Sequence, residues 1–344
     1  MNNINDIILQ DAKKHGKIDT GSLAKKCAIS RQAAHSYLQK LVNNNKLIKI
    51  GSTRGAYYVI RTKETAAALQ KDNKVYKARL LNKNLQEDIV YDKAAYTIPI
   101  KKLQSNARRI ARYAFTEMLN NAIEHSNSSY INISLNITKN AFEFDVIDNG
   151  IGIFEHVRKK LRLHDDYEAL TEILKGKNTT MPSRHSGEGI FFTSKAADIF
   201  SIESSKIHLI INNKIDDIFI EDIKYKKGTK VSFNINKNSK KTIADIFNQY
   251  TDKDYKFSTT KVYIKLYHQN IEYISRSQAR RLTAGLDKFK TVVLDFNRVK
   301  SVGQAFADEI FRVFKASYPK IKIQPINYCK AVDFMIKRAQ KGLT

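Results

Sequence analysis

Cysteine is scarce: the 344 residues hold two, Cys27 and Cys329, far apart and in no CxxC pair. That argues against a disulfide framework and a cysteine-built zinc site. No run of about 18 apolar residues occurs, so no transmembrane helix and no membrane partner are expected. The opening "MNNINDIILQDAKKHGKID" lacks a basic start followed by an apolar block, so no secretory leader is expected. Low-complexity tracts and internal repeats are absent too. A cytoplasmic setting is the simplest expectation. Acidic side chains are in the minority, 34 against 60 Lys and Arg, for a net charge of +26. This balance favours a polyanionic partner, nucleic acid first. A lysine-rich surface kept for solubility is the plain alternative.

What is present suggests an α+β chain of several domains, with 42% hydrophobic residues to fill their cores. Residues 1–62 read as three helices and a hairpin. Ile4, Ile7, Ile8 and Ala12 recur at helical spacing, and Ser30 stands where it would cap a third helix with Ala33, Ala34, Tyr37, Leu38 and Leu41 inward. Two apolar runs flank "GSTRG", a hairpin signal. Residues 63–83 are helix-favouring and free of Gly and Pro, and are read as a helical linker. Helix and strand alternate over 84–236, with a polar, Lys-rich stretch near 155–184. Residues 237–255 are a connector with one short helix. From 256 to 344 a small α/β pattern restarts.

Four pieces in the middle carry chemistry. Glu117 and Asn121 lie one turn apart on a helix, so they share a face. "DNGIGI" (148–153) follows a strand directly. "HSGEGI" (185–190) opens a helix. Gly228 and Thr229 precede a last strand. In this order and context they resemble the N box and the three glycine boxes of the GHKL (histidine kinase-like) ATPase superfamily, which implies a Bergerat-type α/β sandwich binding ATP and Mg2+. The resemblance makes Glu117 the general base, Asn121 the Mg2+ and ATP ligand, and Asp148 the acceptor of the adenine amino group. Gly150 and Gly152 would let the chain pass the base, Gly187 and Gly189 would offer amides to the phosphates, and Thr229 would complete the adenine end. Residues 157–184 would form a flexible lid, with Lys177, Thr179, Thr180, Arg184 and His185 as its polar candidates. Residues 63–116 contain no His, which argues against a two-component histidine kinase.

Residues 1–62 resemble the winged helix-turn-helix domain of bacterial regulators. The resemblance implies a recognition helix presenting Arg31, Gln32, His35, Ser36 and Gln39 to DNA, with Arg54 on the wing. Eleven Lys and Arg against three Asp in this segment agree with that. A winged helix used only for protein contact is the alternative. The C-terminal segment resembles a STAS-like domain of unassigned function. Gln304 and Ala305 fall where a phosphoacceptor hydroxyl would be expected, and Ser301 lies nearby out of register, so a docking or dimerising role is preferred. Together these features suggest an ATP-switched, DNA-binding regulator. An anti-sigma-type Ser/Thr kinase and a nucleotide-gated scaffold without DNA are its rivals. A protein partner and self-association stay open.

Overall fold

The computed structural model describes residues 4–50, 56–62, 75–176, 188–264 and 275–341. The first unit runs α1 (Ile4–His15), β1 (Ile18–Asp19), α2 (Thr20–Lys26), α3 (Arg31–Asn43), β2 (Leu47–Ile50) and β3 (Tyr57–Ile60). Its helix starts are written in side chains. The Asp19 carboxylate accepts from the amides of Gly21 and Ser22 at 2.8 and 2.9 Å, and Ser30 Oγ accepts from Ala33 N at 3.1 Å. The strands form an antiparallel sheet in the order β1-β3-β2, so the expected hairpin is present. Ile8, Leu23, Ala34, Leu38, Leu41, Leu47 and Tyr58 close a small core of their own.

The second unit is a five-stranded antiparallel sheet in the order β4-β5-β6-β8-β7. It comprises β4 (Val75–Leu81), α4 (Glu87–Thr97), α5 (Ser105–His125), β5 (Tyr130–Ile137), β6 (Ala141–Asp148), α6 (Ile153–Leu161), α7 (Asp166–Lys175), α8 (Gly189–Ala196), β7 (Ile199–Asn212) and β8 (Asp217–Asn236). Strict alternation buries Ile131, Ile133, Leu135 and Ile137 of β5 on one face, where they join one core with Ile110, Ala114, Phe115 and Met118 of α5. β7 and β8 are long strands of 14 and 20 residues. A register shift between Ser204 and Ile207 lets β7 continue as one strand, with Ser205 at φ +53°.

Two expectations are corrected here. The helical linker at 63–83 fails over 75–81: this segment is β4, the edge strand paired with β5, with Tyr76, Ala78 and Leu80 packed on the core. Pairing overrides the helical propensity of "YKARLL". Residues 63–74 lie outside the described residues. The flexible lid fails over 157–175, where α6 and α7 are folded and bury Val157, Ala169, Leu170 and Ile173.

The third unit holds a parallel sheet in the order β11-β10-β9: β9 (Thr259–Tyr263), β10 (Thr291–Asp295) and β11 (Lys322–Ile326). After α9 (Ile243–Asn248) in the connector, helix α10 (Arg276–Thr283) has a capping box at Ser275 and Gln278. Helix α11 (Gln304–Asp308) runs on through a π-helical stretch at Glu309–Phe314, and α12 (Lys330–Lys341) follows β11. This unit is not separate in its packing, because its core is continuous with that of the second unit. The expected connector contributes to that core. Phe247 stacks on Phe192 at 4.0 Å, and Phe257 meets Phe191 at 4.6 Å.

Candidate nucleotide site

The site is built along α5. Its apolar stripe packs on the sheet, which leaves Glu117 and Asn121 half-buried beside that stripe. Two hydrogen bonds and two close approaches then fix the other pieces against it. Ile151 N donates to Ser126 O at 2.6 Å, and Asn149 N donates to Ser128 Oγ at 3.3 Å, so the turn after β6 is tied to the end of α5. Ser126 O also fills the space a Cβ at position 150 would need, which explains Gly150. On the other side, a Cβ at position 189 would overlap the Glu117 carboxylate, so α8 begins against that side chain.

The turn after β6 meets β8 in the same way. Gly228, at φ +75°, passes within van der Waals overlap of Asp148 O for any residue bearing a Cβ. Ser204 Oγ donates to Gly228 O at 2.8 Å, and it occupies the room a side chain on Gly152 would take. Thr229 Oγ accepts from Ile153 N at 3.0 Å, seating the first turn of α6. The structure therefore gathers Asp148, Gly150, Gly152 and Thr229 into one cluster, and Glu117 with Gly189 into a second. Gly187, Lys177, Thr179, Thr180, Arg184 and His185 lie outside the described residues.

Burial dominates the electrostatics here. Asp148 is 4% exposed. Burial pushes its carboxyl up to about 6 from an ordinary 3.8, against the opposing pull of the backbone amides of Gly150 and Thr229. Gly150 N donates to Asp148 Oδ1 at 3.0 Å. Its other oxygen keeps acceptor capacity for a donor such as a base amino group. Burial, with the Glu117 and Glu188 carboxylates close by, raises the Tyr113 hydroxyl. Asn121 Nδ2 is buried and has no hydrogen-bond partner. A buried donor that the protein leaves unpartnered suits a ligand oxygen, such as that of a phosphate. The residues therefore fit a nucleotide with its cation: an amide and a carboxylate on one helix flank, a buried acceptor for the base, and glycines where backbone must come close.

Sequence reasoning passed over several contributors. Gly228 was read as part of a box but not as a site residue, and Ser126, Ser128 and Ser204 were not singled out. Glu188, next to Gly189, was also missed. A positive-φ glycine one residue before Thr229 was the available signal for Gly228. For the serines there was none, because their role is set by the chain passing from other elements. The groove expected from residues 1–62 looks different as well. Arg31 and Ser36 are exposed, but His35 is half-buried, and Gln32 is bonded to a distant arginine. Arg54 lies outside the described residues.

Residues 94–211 match the family model of the histidine kinase-like ATPase domain. Residues 278–333 match that of a STAS-like domain of unknown function. No curated protein matches the chain. The chain thus contains a histidine kinase-like ATPase domain and a STAS-like domain. The structure shows that the sheet of the former continues past the matched segment, since β8 pairs with β6 as far as Asn236. No helix among the described residues is long and apolar enough to cross a membrane.

Proposed function

We propose that the chain is an ATP-binding regulator in which nucleotide at the α5–β6–β8 cluster sets the relation of the other two units. The observation that carries this is Asp148: a carboxyl buried at the end of β6, ringed by Gly150, Gly228 and Thr229. Asp148 accepts from the adenine amino group, and the glycines let the turn after β6 close against Ser126, Ser204 and β8, which holds that carboxyl in place. Glu117, held against the first residue of α8, orients the group that attacks the terminal phosphate and takes its proton. Asn121 offers its side-chain oxygen to the cation. When bound, Mg2+ would neutralise phosphate charge there. Gly189, with Gly187, gives the phosphates backbone amides to lie against. The same reading sets the domain limits at 1–62, 75–236 and 256–344, the second moved from 84 to 75 to take in β4.

Residues 1–62 act as a winged helix-turn-helix module that contacts DNA. The helix order, the antiparallel β1-β3-β2 sheet and the excess of basic residues support this reading. The STAS-like unit serves as the docking or coupling element. Self-phosphorylation of that unit is disfavoured: Gln304 and Ala305, exposed at the start of α11, carry no hydroxyl. A kinase acting on a separate protein is the rival reading, and labelled ATP separates the two. Label in a protein supports the kinase, and free phosphate alone supports the ATPase.

Binding and turnover of ATP by the wild type, Glu117→Ala and Asn121→Ala test the site. Glu117→Ala should bind ATP and lose turnover. Asn121→Ala should lose the Mg2+-dependent part of binding. Normal turnover in both variants would sink the assignment.

A further inference from the structure

Three units meet at one arginine. Arg298 lies in the turn after β10, at φ +65°, a conformation that non-glycine residues seldom adopt. Its guanidinium donates to Gln32 Oε1 of α3 at 2.8 Å. It also pairs with Asp217, the first residue of β8, at 2.6 Å. Asp217 is 4% exposed, so this end of the pair is well shielded. The same guanidinium stands over the Phe219 ring at 5.8 Å, and the His35 ring lies tilted 6.4 Å from Phe219. The contact continues along β2, where Lys49 is desolvated beside Glu143 of β6. Gln32 and His35 stand three apart on α3, on the face that a winged helix would lay into a groove.

We infer that this junction is a latch: Arg298 holds α3 against the start of β8, and duplex DNA can use the Gln32–His35 face only after the latch opens. The inference rests on the reading that residues 1–62 bind DNA. Gln32 cannot offer the same oxygen to Arg298 and to a base edge, and His35 cannot stack toward Phe219 and enter a groove. The latch is built from one residue of each unit, so any shift of the ATPase unit against the STAS-like unit pulls on Arg298 from both sides. It is also weak enough to open. Arg298 is 47% exposed, and a hydrogen bond from a charged donor of this kind corresponds to about a tenfold change in an equilibrium.

The test uses the full chain with a mixed-sequence duplex at low salt and no nucleotide. Two variants are compared with the wild type, Arg298→Ala and Asp217→Asn. The first makes the chain less positive and the second more positive, so a shared direction cannot come from net charge. Both should bind the duplex about tenfold more tightly, and both should speed amide exchange within residues 31–43. Faster exchange with unchanged or weaker binding would overturn the latch while leaving DNA binding intact. Unchanged exchange in both variants would overturn it as well. Absence of duplex binding in all three proteins would remove the DNA reading, and the latch with it.

Discussion

Gly228 and Asp148 touch where the turn in β8 passes the end of β6. A Cβ at position 228 would overlap Asp148 O and come within 2.7 Å of Asn149 Cα. Both obstacles are backbone, which cannot rotate away. The glycine also sits at φ +75°, where an L side chain costs about 1–2 kcal/mol before any clash. Gly228→Ala should therefore lose at least about 3 kcal/mol of stability and abolish ATP binding. Gly16→Ala is the control. Its φ is +71°, and nothing lies within 4 Å, so it should cost only about 1 kcal/mol and leave ATP binding intact. Urea denaturation and calorimetric titration with ATP check both.

Helical spacing alone puts Glu117 and Asn121 on one face of α5, whereas their roles rest on the family resemblance. Asp148 was legible because an alternating strand ran directly into "DNG". Strand β4 was not: one β-branched residue, Val75, precedes "YKARLL", and only pairing with β5 makes it a strand. The lid was misread for a related reason. Lys175 falls within the stretch that reads as polar and Lys-rich. It is 2% exposed and bonds to carbonyls more than a hundred residues later. Local pattern carries no information about a partner at that separation, so a buried lysine reads as a surface one.

Asp148 makes stability and ligand affinity depend on pH in opposite senses. Its folded value, about 6, lies above the unfolded 3.8. The contribution of burying the neutral acid is therefore full below about pH 4 and is lost as pH rises through 6, at a cost of about 2–3 kcal/mol by neutral pH. Asp148→Asn keeps the acceptor oxygen and removes the ionisation. It should melt higher than the wild type at pH 7.5 and equally at pH 4. ATP favours the ionised carboxylate, so wild-type affinity should fall as pH drops below 6. The variant should bind at least tenfold more weakly at pH 7.5, with little change across that range. Melting curves and ATP titrations at pH 5, 6 and 7.5 check this, and a pH-independent wild type would refute it.

Phe247 tests whether residues 237–255 are a passive connector. Its ring stacks on Phe192 at 4.0 Å and lies 5.9 Å from Tyr113 of α5. Phe247→Ala should cost about 2–3 kcal/mol, since it removes a partly buried aromatic pair and leaves a gap against α8. The loss should appear in the unfolding of the ATPase unit. A change under about 0.5 kcal/mol in denaturant melts would mark the segment as a simple tether.

Lys175 joins the ATPase unit to the STAS-like unit at the C-terminal end of α7. Its ammonium pairs with Glu172 and donates to the carbonyls of Arg281 and Ala284, at 3.2 and 2.9 Å. Its own carbonyl accepts from Thr260 Oγ at 2.6 Å, and Arg281 returns a bond to Glu168 at 3.0 Å. Lys175→Met keeps the stem's packing but takes the ammonium away from a largely buried carboxylate and two carbonyls, which should cost about 3–5 kcal/mol. Adding Glu172→Gln removes the carboxylate's charge as well, so the double variant should recover part of that loss. Additive losses would mean the pair is not coupled. Because the bond crosses between units, the single variant should also separate their unfolding, turning one denaturant transition into two when fluorescence and far-ultraviolet dichroism are compared. A single coincident transition at the wild-type midpoint would show that α7 is held to the STAS-like unit by its apolar face alone.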